Sequence, residues 1–179
     1  MQDAQYIATI PSPLGAITIA SDGESITGLW FEGQKYYAAT LKNPVDAPSL
    51  PVFAQAAAWL RRYFKGERSE MTLPLKPEGS PFRQAVWHIL LRIPYGETRT
   101  YGEIARQLAG ATGKNVSAQA VGGAVGHNPI SILIPCHRVV GSSGSLTGYA
   151  GGIDKKIRLL QLEGAPMERL FVPRSGTAL

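Results

Sequence analysis

A mostly apolar run, Ile130-Ser131-Ile132-Leu133-Ile134, ends at a proline and delivers the only cysteine of the chain, Cys136. Aliphatic and β-branched residues in such a run read as a buried strand. Proline donates no backbone N–H, so Pro135 stops that strand. The expectation is a cysteine at the end of a rigid, buried segment, with His137 and Arg138 directly after it. A thiol beside imidazole and cationic groups can have a depressed pKa, and the thiolate is its reactive form. The competing expectation is an inert small hydrophobe, the commoner fate of a lone buried cysteine.

The remaining composition narrows the class. The chain has 179 residues, enough for one large or two small domains with genuine cores. No apolar run approaches ~18 residues, which argues against a membrane-spanning helix. Met1–Gln5 lacks the basic and apolar regions of a signal peptide. One cysteine cannot make an internal disulfide, which fits a reducing compartment such as the cytoplasm. His88, His127 and His137 show no zinc-site spacing, so neither a metal nor a cofactor is expected. Charge is unevenly placed. Residues 1–78 hold 7 Lys/Arg and 8 Asp/Glu, whereas residues 79–179 hold 11 and 5. A basic second part suggests a polyanionic partner, with a merely basic surface as the alternative.

Taken in order, Tyr6–Ile10, Ala16–Ala20 and Ile26–Phe31 read as the strands of an antiparallel meander, separated by Pro/Gly/Ser-rich turns. Pro51–Phe64 reads as a helix with Phe53, Ala56, Ala57, Leu60 and Phe64 on one face. Nothing before residue 70 looks chemical, and Met71–Gly79 reads as a linker. The expected division is therefore a scaffold domain over 1–78, a second domain over 79–172 and a disordered tail over 173–179.

In the second part Ser80-Pro81 opens a helix whose apolar stripe is Phe82, Ala85, Val86, Ile89, Leu90 and Ile93, with His88 facing solvent. Thr100 and Glu103 form a capping box. That helix runs to a glycine-rich break at 110–113, and another begins near Ser117. The pattern reads as helix-turn-helix or as any other αα-hairpin. The second helix is made of small residues, including Ala118, Ala120, Gly122 and Gly123, with Gln119 the one long side chain. Such a face lets another backbone approach closely, either a neighbouring helix or a narrow nucleic-acid groove. Gly141–Ser145 reads as a hairpin-like loop, plausible as a wing. Asp154 reads as the cap of a final helix, in whose last turn Glu163 opposes the macrodipole.

Pro135-Cys136-His137-Arg138-Val139, with Asn128-Pro129 before it and Gly148-Tyr149 after it, resembles the O6-alkylguanine-DNA alkyltransferases, also called methylated-DNA–protein-cysteine methyltransferases. The resemblance is close over residues 81–164 and general before them. It implies an α+β fold: a small ribonuclease-H-like domain, then a winged helix-turn-helix domain carrying the active site. It implies a DNA repair protein that flips O6-alkylguanine, and also O4-alkylthymine in some members, out of double-stranded DNA. The alkyl group passes irreversibly to its own cysteine in one in-line displacement, without a cofactor and as a monomer. By resemblance Cys136 is the acceptor, His137 relays its proton through water, and Glu163 orients His137. Tyr101 hydrogen-bonds and protonates the leaving guanine. Asn128 braces the turn before the active site. Val139, Tyr149 and Ala150 hold the flipped base, and Arg138 stands among the DNA-side residues. Ser117, Ala118, Gln119 and Gly122 belong to the recognition helix, which in this family enters the minor groove. The family's intercalating arginine is matched here by Gln119, which lacks the charge and the planar guanidinium. Two other readings stay open: a Cys–His hydrolase, and a winged-helix regulator without chemistry.

Overall fold

A computed structural model describes residues 4–174; the last five residues of the expected tail lie outside the described residues. The chain forms two compact units. One comprises the chain up to Glu78 together with Pro129–Leu133, and the other Gly79–Asn128 together with the chain from Ile134 onward.

The first unit is built on strands β1 (Tyr6–Ile10), β2 (Ile17–Ser21) and β3 (Ile26–Phe31), an antiparallel meander as the turn residues imply. A two-residue strand, β4 (Val45–Asp46), adds parallel to β1, giving the order β3-β2-β1-β4. Ile17, Ile19, Leu29 and Phe31 are buried, and helix α1 (Pro51–Phe64) covers the sheet with Phe53, Ala56 and Leu60. Gly28 has a local cause. A Cβ there would stand 2.0 Å from the Trp30 ring, which lies over the same face of the strand. The stretch read as a linker is partly paired, since Ile26 N donates to Pro74 O and Lys76 N donates to Ile26 O, both at 2.8 Å.

The apolar run before the cysteine differs from its expectation. Only Ile130 bridges a strand, pairing with Leu29. Leu29 N donates to Pro129 O and Ser131 N to Leu29 O, each at 2.9 Å. Residues 131–133 then turn, with Ile132 in the left-handed region at φ 67°. That conformation is costly for a β-branched residue. The run is therefore a buried turn with one bridge. Its β-rich composition met too few partners to continue a ladder.

The second unit begins with helix α2 (Pro81–Leu90), capped by Ser80, whose side chain accepts from Arg83 N. Its buried face is Val86, Trp87 and Leu90, continued by Ile93 beyond the helix; Phe82, expected in the stripe, is exposed. Trp87 takes its place because its indole N–H reaches Ala124 O at 2.8 Å. Strand β5 (Arg99–Thr100) leads into helix α3 (Tyr101–Thr112). The capping box of Thr100 and Glu103 is fully formed, and Gly113 ends the helix at φ 69°. Helix α4 (Ala118–Gly126) is capped by Ser117 and packs against α2 and α3. Strand β6 (Val139–Val140) pairs parallel with β5. Residues Ser142–Gly144, within the hairpin-like loop, form a tight turn with Ser143 in the left-handed region at φ 61°. Helix α5 (Ile153–Leu162) is preceded by Gly152 at its cap, so Asp154 lies in its first turn and Glu163 just beyond its end. Val140, Leu146, Leu160 and Ala165 close a small core beneath it.

Candidate active site

Cys136 opens a single 3-10 turn, Cys136–Arg138, and is 3 % exposed. A tight turn, and not the end of a strand, thus presents the cysteine. Burial pushes the thiol pKa up. A hydrogen bond from Asn128, the charge of Lys156 and the backbone N–H groups of Cys136 and His137 oppose that shift without reversing it. The expected depression of the thiol by flanking cations is therefore not what the structure shows.

Burial is the cause, and Arg138 is engaged elsewhere. Its Nε donates to Glu163 Oε2 and its Nη2 to Glu163 Oε1, both at 2.9 Å, while Nη1 donates to Ile93 O at 2.6 Å. Its guanidinium lies over the Tyr95 ring, 5.8 Å from the centroid. A residue placed on the DNA side by sequence is thus the ion-pair partner of a buried carboxylate, and its charge is largely neutralised there.

His137 is fully buried and shares Glu163 Oε1, with Nε2 at 2.7 Å. Burial lowers its pKa, Glu163 raises it, and Arg138 and Lys156 lower it again. Burial would raise the Glu163 carboxyl. Its hydrogen bonds and charge interactions with His137 and Arg138 outweigh that and hold it well below the usual carboxylate range. With Glu163 ionised and Arg138 as the standing counter-charge, His137 is neutral. Its proton is on Nε2, donated to Glu163, and Nδ1 is left as the acceptor. Nδ1 is buried and hydrogen-bonds to no protein atom.

Three more residues converge on this turn. Asn128, directly after α4, donates from Nδ2 to Ile134 O at 2.9 Å. The Tyr101 hydroxyl, at the start of α3, donates to Thr147 O at 3.1 Å and Gly148 O at 3.3 Å. Burial raises its pKa, and so does the charge of Cys136, so the phenol keeps its proton. Lys156 is the residue that sequence reading missed. It is wholly buried, its Nζ donates to Val139 O and to Thr147 O, and burial lowers its pKa to about 8. A signal was present. Lys156 and Glu163 are seven residues apart and fall on the apolar stripe of α5 with Ile153, Ile157 and Leu160. Val139 and Tyr149 are buried and Ala150 is half-buried. Among the described residues, no cluster of three or more His, Cys, Asp or Glu is arranged to hold a metal ion.

The proposed recognition residues divide by face. Ser117, Ala118, Gln119, Ala120 and Gly123 are exposed on α4, while Val121, Gly122, Ala124 and Val125 are buried. A Cβ at Gly123 or at Gly126 would meet nothing within 4 Å. Nothing inside the described protein requires these two positions to be small.

Comparison with known proteins agrees with this arrangement. Residues 5–77 match the family model of the 6-O-methylguanine DNA methyltransferase ribonuclease-like domain, and residues 81–165 that of its DNA binding domain. A methylated-DNA–protein-cysteine methyltransferase of Haemophilus influenzae is 47% identical over 164 residues, covering 91% of this chain and 88% of its own. One from Mycobacterium bovis is 49% identical over 158 residues, covering 88% and 92%. Among solved structures, Mycobacterium tuberculosis OGT in complex with DNA superposes with a TM-score of 0.80 at 45% identity, over 92% of this chain and 94% of that one. With both halves matched, and relatives of this identity aligned over nearly their whole length, the chain belongs to the 6-O-methylguanine DNA methyltransferase family.

Proposed function

We propose that this protein repairs DNA by moving an alkyl group from O6 of guanine to Cys136, once per molecule. The observation that carries the reading is the enclosed cysteine flanked by two complementary groups. His137 offers an acceptor nitrogen oriented by Glu163, and Tyr101 offers a phenol whose proton is held firmly. The Cys136 proton leaves through water to His137 Nδ1. The thiolate attacks the alkyl carbon in line, the S–C bond forms, and the C–O6 bond breaks with its electron pair going to guanine. Tyr101 exchanges its carbonyl partners for the guanine and donates a hydrogen bond to it as it leaves; the proton taken up by His137 returns through water to the departing guanine, so His137 and Tyr101 end the step as they began it. The thioether product is not readily reversed.

The raised thiol pKa is compatible with this chemistry. Lowering a thiol from about 8.5 to about 5.5 would raise its thiolate fraction near pH 7.4 roughly 14-fold. The accompanying loss of nucleophilicity would be about 20-fold at a Brønsted slope of roughly 0.45. A depressed pKa would thus have contributed little. Holding the two reactants in line is worth up to about 7–11 kcal/mol. Extruding the base costs a few kcal/mol, least for a damaged one.

The partner is double-stranded DNA with an alkylated base, approached from the minor groove. The flat outer face of α4 supports this, since Ala118, Ala120 and Gly123 leave room for a sugar-phosphate wall in a narrow groove. Gln119 projects where the extruded base leaves a gap. Asn128 braces the passage from α4 to the cysteine, and Val139, Tyr149 and Ala150 wall the base pocket. Residues 1–78 serve as scaffold and 79–172 carry the chemistry. A monomer suffices, because acceptor, relay and donor lie on one chain, and a lone thiol that must stay reduced suits the cytoplasm.

Intact mass after incubation with O6-methylguanine duplex tests the reading. The wild type should gain the mass of one CH2 per chain and then stop, and Cys136→Ser should gain nothing. Label on another residue, or continuing turnover, would refute it.

A further inference from the structure

Arg138 lies one residue beyond the histidine relay, and the chain gives its guanidinium an elaborate setting. Two of its nitrogens grip both oxygens of Glu163, a third reaches Ile93 O, and its plane rests on Tyr95. The turn supplying those last two contacts is itself moulded to Glu163. Gly96 N approaches Glu163 Oε2 at 3.4 Å, and Tyr95 Oη donates to Leu162 O at 3.2 Å. A Cβ on Gly96, whose φ is +81°, would come within 2.8 Å of the Glu163 carbonyl oxygen. The 93–96 turn, Arg138 and Glu163 therefore form one interlocked piece.

We propose that Arg138 is a positioning residue for alkyl transfer: by gripping both oxygens of Glu163 it fixes the carboxylate that holds His137 with Nε2 as donor and Nδ1 as acceptor. This rests on the alkyl-transfer reading above. A carboxylate held by His137 and the long Gly96 N contact, without the guanidinium, would be looser and would draw a second proton onto the imidazole. An imidazolium has no lone pair to accept the thiol proton. A fork–fork pair suppresses both outcomes, because it satisfies the carboxylate geometrically and supplies its counter-charge. Lysine, a point donor, would supply the charge without the two-pronged grip.

The charged and titratable groups facing this site are few. Glu163 and Lys156 come from α5 and its end, Cys136 and Arg138 from the turn, and Tyr101 from α3. With Arg138 removed, Lys156 is the one remaining cation among them, and Glu163 loses its counter-charge while keeping His137 and the longer approach of Gly96 N. The half-point of the acid limb of Cys136 alkylation should then rise.

The test is the second-order rate of transfer from free O6-benzylguanine across pH for wild type, Arg138→Gln and Arg138→Lys. The His137 ring is followed by NMR in protein carrying labelled histidine. Arg138→Gln should be slower by roughly 10- to 100-fold, the range known for outer partners of metal-bound histidines. Its acid limb should move up by about one pH unit, with a matching shift in the ring titration. Arg138→Lys should be slowed while its limb stays near that of wild type. Either variant titrating in the opposite sense would overturn the proposal, as would an Arg138→Gln profile and ring titration superimposable on wild type. If Arg138→Gln does not fold, Arg138→Lys decides alone, and a wild-type rate there refutes the grip. A wild type that transfers no alkyl group would instead refute the underlying reading.

Discussion

Replacing Glu163 by glutamine removes the centre of the buried network. The carboxylate accepts from His137 Nε2 at 2.7 Å, from Arg138 Nε and Nη2 at 2.9 Å, and from Gly96 N at 3.4 Å. A glutamine offers one acceptor oxygen and a donor NH2, so whichever way the amide lies its nitrogen faces another N–H. The Glu163 side chain is 0% exposed and that of Arg138 12%, so the guanidinium keeps its desolvation cost without its counter-charge. Breaking such a pair costs about 3–5 kcal/mol, a large share of the roughly 5–15 kcal/mol that holds a domain together. The pH dependence is the sharper test. The folded pKa of Glu163 is depressed, so its contribution is complete above the unfolded value of about 4.3 and is lost as pH falls below it. His137, a base whose pKa is also depressed, costs stability in both proteins as pH falls below about 6.5. The variant, lacking the carboxylate, loses at least as much by that route. The gap between wild type and Glu163→Gln in urea unfolding, followed by circular dichroism, should therefore hold or widen from pH 7 to 5. Below about pH 4.3 it should narrow by up to about 1.4 kcal/mol per pH unit. A gap under about 1 kcal/mol at pH 7, or one that stays constant down to pH 3, would refute the burial-and-pairing argument.

Other outcomes follow from the same geometry. Gln119→Ala should slow repair of duplex DNA while leaving the rate with free O6-benzylguanine nearly unchanged, because the free base needs no extrusion; equal losses on both would assign Gln119 to the fold. Gln119→Arg should match or exceed wild type on duplex and steepen the salt dependence of binding by up to about one phosphate's worth, which a titration in potassium chloride would measure. Gly96→Ala combines a left-handed backbone with the short approach to Glu163 O. It should lower stability by about 1–3 kcal/mol and slow transfer; a melting temperature equal to wild type would contradict the interlock.

The local features were the legible ones. Helix α1 runs over Pro51–Phe64 as expected, although Val52, Trp59 and Tyr63 are buried where Ala57 and Phe64 of the expected stripe are half-buried, and the caps at Ser80, Thr100 and Ser117 form as their residue types require. These depend on neighbours within a few positions, which a sequence displays directly. Ile130–Ile134 departs from a strand because aliphatic composition reports burial and cannot supply a pairing partner; among the described residues Leu29 alone bridges to it. The pairing of Arg138 with Glu163 is hidden in the sequence for a related reason. A cation beside a cysteine looks available until the carboxylate beyond α5 is known to face it. Lys156 went unnoticed because a lysine in a helix is usually solvated, although its place on the apolar stripe argued otherwise. The cysteine motif and Glu163 are recognisable by family resemblance, and the grip of Arg138 on Glu163 required coordinates.

The Leu29–Ile130 bridge bears on the order in which the chain completes itself. A ribosome releases β1, β2 and β3 long before residues 129–133, and domains generally fold from the N-terminus as they emerge. Here the first unit lacks a piece of its own sheet margin until most of the chain has been made. The N–H and C=O of Leu29 wait for partners far along the chain, and closing so large a loop is entropically slow. The part of the protein made first is therefore among the last to finish. The segment that finishes it runs on along the chain through Ile134 into Pro135 and Cys136, so the first unit is sealed by the residues made just before the cysteine.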